Sequence, residues 1–245
     1  MTILSLSDWL ECPQGQYLLQ WEQAKFDLMV SDIFGYNAVQ IGLPQHDFLR
    51  SNRIPFRLAC AQSGRCGIIA DPDALPFATA SVDLVLLPHV LEFSQRPHHV
   101  LREVERVLVP EGSVIISGFN PFSLWGLRRL IARGRGHFPW CGQYLSVRRA
   151  KDWLALLGFE TQGGSFGCYA PPFTHATSLE QWRFMDKAGD RWWPICGGAY
   201  ILQGIKRVQG MRLITPNWRD SRATTKRLSP VAQRGREVHG IQKTE

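Results

Sequence analysis

The 245-residue sequence predicts an α/β domain built on a mostly parallel sheet. Two runs carry that prediction. Val82–Leu87 and Ser113–Gly118 are nearly continuous apolar stretches, the pattern of strands covered on both faces. Between them, Arg96–Leu108 places Val100, Leu101, Val104, Val107 and Leu108 on one side, a helical period. Strands alternating with helices make βαβ units and hence a parallel sheet.

The remaining elements follow the same logic. Residues 16–34 carry Leu18, Leu19, Phe26, Met29, Val30 and Ile33 near helical spacing, and Gly35 suits the end of that helix. Asn37–Gly42 reads as a short strand running into a turn. Pro55–Cys60 and Gly67–Ala70 read as two more strands. Pro110-Glu111-Gly112 is a turn before the strand at Ser113. Phe122–Arg133 and Arg148–Leu157 are helices, the second closed by Gly158, and Tyr200–Lys206 is a late strand. Residues 134–147 and 170–198 hold Gly, Pro and aromatics and read as excursions of the kind that cover pockets. One domain thus spans residues 1–210. Residues 216–245 lose periodicity and have the composition of a disordered basic tail.

Charge is placed unevenly. The net charge is +7, and residues 206–245 hold ten basic side chains against three acidic ones, so the rest of the chain is neutral. No run approaches the ~18 apolar residues of a membrane span. The N-terminal stretch lacks the basic and apolar regions of a cleaved signal peptide. A cytoplasmic protein is the expectation. The six cysteines are widely spaced with no CxxC pair, which predicts reduced thiols and gives no zinc site. No metal is called for.

The chemistry sits in the middle. Asp71 is followed by Leu75-Pro76-Phe77, then Val82-Asp83 opens an apolar strand. Glu103, Arg106-Val107-Leu108 and Pro110-Glu111-Gly112 lead to the strand ending at Gly118. In order and spacing this stretch resembles class I S-adenosylmethionine-dependent methyltransferases of the type 11, small-molecule branch. The resemblance implies a Rossmann-like, doubly wound, mostly parallel seven-stranded sheet. It implies S-adenosyl-L-methionine as cofactor and methyl transfer to a small or unidentified acceptor. It assigns cofactor contacts to Gly42, Asp71, Leu75, Phe77 and Pro88, with the Asp71 carboxylate accepting from an adenine amino group. Asp71 alternatively only shapes a turn. His89 and Asn120, after the fourth and fifth strands, are the catalytic candidates, His89 as a general base or, alternatively, only a capping or packing residue. Phe122 and Trp125 would wall the acceptor; alternatively Asn120 or Ser123 caps a helix and Trp125 packs in the core.

The glycine-rich turn departs from the family pattern. Gly42 matches the first glycine, but Gln40 replaces the preceding acid, Pro44 the second glycine and His46 the third. The next strand ends without a carboxylate and offers Gln62 instead. The adenine side is kept and the methionine–ribose side is eroded. A second reading therefore stands beside the enzyme: a methyltransferase-like scaffold that binds or regulates without catalysis. Arg128, Arg129, Arg133, Arg135, Arg148, Arg149 and Lys151, with the basic tail, suit nucleic acid or an anionic surface, or are simply solvated helix ends and an unstructured tail.

Overall fold

A computed structural model describes residues 5–132, 138–173 and 176–208. The basic segment 216–245 lies outside these residues.

The seven strands are β1 (Asn37–Ile41), β2 (Phe56–Ala61), β3 (Ile68–Ile69), β4 (Val82–Pro88), β5 (Leu108–Phe119), β6 (Phe159–Gly167) and β7 (Ala199–Lys206). They form one sheet in the order β3-β2-β1-β4-β5-β7-β6. β1 to β5 run parallel, and β7 is antiparallel to both β5 and β6. The chain direction across the sheet reverses between β1 and β4, the place where open α/β sheets take ligands.

Both faces of the sheet are covered, as the apolar runs require. Along β4, Leu84 and Leu86 enter one core with Trp9, Phe26 and Trp125, while Val85 and Leu87 enter the other with Val100, Val104 and Leu154. α1 (Leu6–Leu10) and α2 (Pro13–Ser31) serve the first face. α1 begins with a reciprocal cap between Ser5 and Asp8. α2 starts earlier than its apolar period suggests, because Pro13 fits the first helical turn. α4 (Pro97–Val107) and α6 (Val147–Leu156) serve the second face, and Gly158 closes α6 at φ +80°. α5 (Leu124–Ala132) follows β5.

Three features depart from a regular alternation of strand and helix or from the expected element bounds. The crossovers from β1 to β2 and from β2 to β3 hold turns, not helices. Residues 42–55 contain Pro44 and Pro55, and they dock Phe48, Leu49 and Ile54 into the core directly. The excursion at 170–198 is partly regular, with α7 (Ala176–Gln181), α8 (Phe184–Trp192) and a 3₁₀ turn at Pro194–Cys196. Pro110-Glu111-Gly112 lies inside β5 as an outward loop: the register jumps from Val82 opposite Leu108 to Leu84 opposite Ser113. Glu111 there takes φ +64° and pairs with Arg207.

Two sequence motifs have structural causes. Asp83 Oδ2 accepts the backbone N–H groups of Tyr36 (2.8 Å) and Asn37 (2.9 Å), anchoring the start of β1. Gly35 leaves it room, since a Cβ there would come within 2.4 Å of the Asp83 side chain. Arg106 clamps the Leu75-Pro76-Phe77 loop by donating to the carbonyls of Leu75 (3.0 Å) and Phe77 (2.9 Å). Glu103 holds that guanidinium and accepts the Leu75 N–H (3.0 Å).

Candidate cofactor site

The ends of β1, β2, β3 and β4 face a cavity of about 480 Å³. Gly42 comes from β1, Gln62 from β2, Asp71 from β3 and Pro88 with His89 from β4. Leu6 of α1, Phe93 after β4 and Phe138 border it further. Gly42 sits at φ +84°, and a Cβ there would approach Val90 Cγ2 to 3.0 Å. The backbone is therefore kept bare at the floor of the cavity. Asp71 Oδ1 accepts the Asp73 N–H (3.0 Å) and lies 3.4 Å from Gln62 Nε2. Asp71 thus shapes a turn and lines the cavity at once.

The turn after β1 is tied by Gln40. Its buried amide donates to the carbonyls of Gly42 (3.1 Å), Leu43 (3.0 Å) and His46 (2.7 Å), and its oxygen accepts the Phe48 N–H (3.0 Å). Leu43 is held at φ +47°. The acid expected here from the family pattern could not donate to those carbonyls.

His89 stands at φ +53° at the mouth of α3 (Val90–Phe93). Its ring is fully enclosed between two buried carboxylates. Nδ1 is 2.9 Å from Glu92 Oε2, and Nε2 is 2.8 Å from Glu22 Oε1, a close ion pair off the line of a good hydrogen bond. The other oxygen of Glu92 accepts the Phe119 N–H. Burial alone would discharge the imidazole, but Glu22 and Glu92 together outweigh it and hold the pKa up at about 10. Burial in turn pushes the Glu92 carboxyl up, against the pull of His89. Both ring nitrogens face these carboxylates, which favour the protonated imidazole.

The structure thus brings together Gly42, Asp71, Pro88 and His89, and separates the other candidates from them. Leu75 and Phe77 pack into the core behind the loop that Arg106 clamps. Asn120 is buried, and its amide donates to the carbonyls of Ile195 (2.7 Å) and Gly197 (2.9 Å) while accepting the Phe122 N–H (3.0 Å). It struts the 3₁₀ turn against β5. Trp125 is core, with Nε1 donating to the Ala170 carbonyl at 2.9 Å. Phe122 is exposed and lines a different, apolar cavity of about 410 Å³. The basic cluster is also dispersed. Arg128 lies over the Trp140 ring, Arg129 over Tyr144 and Arg149 over Trp153, while Arg133 and Arg135 fall outside the described residues.

Glu22 was missed in the sequence, although a signal was there. Leu18, Glu22, Phe26 and Val30 form one i, i+4 stripe on α2, and a carboxylate inside an apolar stripe needs a buried partner.

A family model described as a methyltransferase domain matches residues 55–116. An uncharacterised Escherichia coli K12 protein, YafS, is 34% identical over 161 residues, covering 65% of this chain and 67% of its own. The fold is shared with an S-adenosylmethionine-dependent methyltransferase of Thermotoga maritima (TM-score 0.57, 16% identity, covering 78% of this chain and 93% of that one). The chain belongs to the class I S-adenosylmethionine-dependent methyltransferase family. A malonyl-[acyl-carrier protein] O-methyltransferase of Methylovorus is 30% identical over 95 residues, 39% of this chain and 32% of that enzyme. S-adenosylmethionine is the cofactor of this methyltransferase family, and the cavity fits such a group in two respects. It offers a bare glycine backbone, and it sets a carboxylate beside an amide where hydroxyl and amino groups need partners. Among the described residues no helix is long and apolar enough to cross a membrane.

Proposed function

We propose that this protein binds S-adenosylmethionine in the cavity at the ends of β1 to β4 and transfers its methyl group to a small acceptor. The observation that supports this best is the convergence of Gly42, Gln62, Asp71 and Pro88, from four strands, on one cavity. The bound cofactor would supply an activated methyl on a sulfonium. Asp71 accepts hydrogen bonds and Gln62 donates and accepts them at the polar edges of the nucleoside. Gly42 admits the ligand against the backbone. Leu6, Phe93 and Phe138 exclude water from its open side. Transfer of a sulfonium methyl needs alignment more than a base, so the reading does not require His89 to take a proton. In this reading His89 with Glu22 and Glu92 fixes the end of β4, and Asn120 fixes the end of β5. A melt tests the reading. Saturating S-adenosylhomocysteine should raise the midpoint by about 5 °C. No shift with either form of the cofactor removes it.

One observation favours the scaffold reading. Gln40 satisfies the turn's carbonyls internally, and no helix N-terminus follows β1 to receive an anionic ligand group. A folded protein with no affinity for the cofactor at millimolar concentration is the outcome that this second reading requires.

A further inference from the structure

α5 is built inside out. Its sequence, LWGLRRLIA, would ordinarily bury the leucines and expose the arginines. The structure does the reverse on one face. Leu127 is 54% exposed and Ile131 79%. Arg128 instead turns in, 5.1 Å over the Trp140 ring, and Arg129 lies 5.0 Å over Tyr144 while donating to the Gly142 carbonyl at 2.7 Å. Aromatic faces and a carbonyl hold the two cations inward, so the outward apolar stripe is a fixed property of the fold.

The stripe continues across a groove. Leu127 and Leu130 form one wall of the 410 Å³ apolar cavity, and Met185 and Trp193, from α8 and the turn after it, form the other. Trp192 and Ile195 extend the surface, 70% and 66% exposed. Apolar surface of this kind on a globular protein marks something that covers it.

Charge and residue type choose the occupant. Adjacent exposed tryptophans favour the boundary between water and lipid, where the indole meets both. Lys187 and Arg191 are exposed on α8. Of the acids there, Asp186 is engaged by Tyr17 and the Tyr169 N–H, which leaves Asp190 as the exposed one. The whole chain is at +7, with that excess in residues 206–245. Two copies of such a chain repel each other, whereas an anionic surface attracts it. Apolar insertion combined with a basic segment is what holds a protein reversibly on a membrane.

We propose that the face formed by α5, α8 and the 3₁₀ turn docks on an anionic lipid bilayer. The docking does not depend on the cofactor reading, because it uses neither the cavity at the ends of β1 to β4 nor its residues.

The test is vesicle co-sedimentation of the full chain, with phosphatidylcholine alone and with phosphatidylcholine mixed with phosphatidylglycerol. The intact protein should sediment with the mixed vesicles. The Leu127→Glu/Leu130→Glu variant, altered only at exposed positions, should lose about tenfold or more in affinity. A Trp192→Ala/Trp193→Ala variant should lose affinity too, and it should show less quenching of tryptophan fluorescence by brominated lipid than the parent. Absence of vesicle binding overturns the proposal. So does equal binding by parent and variants, which would mean that the basic segment acts alone. A dimeric parent that Leu127→Glu/Leu130→Glu converts to monomer, with no lipid affinity, also overturns it, since a second copy would then be the cover.

Discussion

Gln40 Nε2 lies 2.7 Å from the His46 carbonyl oxygen, and that bond closes the turn after β1 upon the strand's own end. The same nitrogen reaches the carbonyls of Gly42 and Leu43. A family acid at this position would face three carbonyl oxygens with no proton to share. An amide at this position and the compact, helix-free turn therefore belong together. Gln40→Glu should destabilise the protein by about 3 kcal/mol, through an unpaired buried charge and lost hydrogen bonds. Urea unfolding measures this. An unchanged midpoint at neutral pH would mean that the amide does not hold the turn.

The Glu22–His89–Glu92 cluster predicts a pH dependence. His89 is held near pKa 10 in the folded protein against an ordinary value of 6.5. Between these values the native state carries a proton that the unfolded chain has released. Stability from this group is complete below pH 6.5 and falls as pH rises toward 10. The raised Glu92 carboxyl acts in the same direction at lower pH. His89→Leu should remove the alkaline slope and also destabilise the fold by about 3–5 kcal/mol at neutral pH, because two buried carboxylates lose their cation. Unfolding midpoints from pH 6 to 10 in parent and variant, about one per pH unit, separate the two effects. A parent with flat stability across that range contradicts the assignment.

Arg106→Lys tests the clamp on the Leu75–Phe77 loop. One planar guanidinium serves two carbonyls and Glu103, and an ammonium cannot copy that fork. A loss of about 1–2 kcal/mol is expected. Protection of the Leu75 amide, which Glu103 accepts, should fall more than that of β4 amides in hydrogen exchange. Equal protection in parent and variant would show that the loop stands without the clamp.

The buried strands were the legible part of the fold. β4 and β5 announce themselves as continuous apolar runs, and α4 as a clean helical period between them. β6 was invisible because Phe159–Gly167 reads Gly, Gln, Ser and Thr, with burial at its two ends only. It is an edge strand, recognisable through its ladder to β7. Around the cavity, positions set by the backbone were legible as lining: Gly42 and Asp71 come just after β1 and β3, and Pro88 ends β4. Residues whose side chains choose a direction were not. Nothing local says that Trp125 turns into the core while Phe122 turns out, or that the arginines of α5 face inward over aromatic rings. Those directions come from Ala170, Trp140 and Tyr144, remote or later in the chain.

In the function proposed above, the cavity at the ends of β1 to β4 holds S-adenosylmethionine through Asp71. The most direct measurement is a calorimetric titration of the intact protein with S-adenosylhomocysteine, beside Asp71→Ala checked for an unaltered unfolding midpoint. Micromolar binding by the parent and at least about tenfold weaker binding by the variant are expected. No heat from the folded parent, or equal affinity in the two proteins, would contradict it.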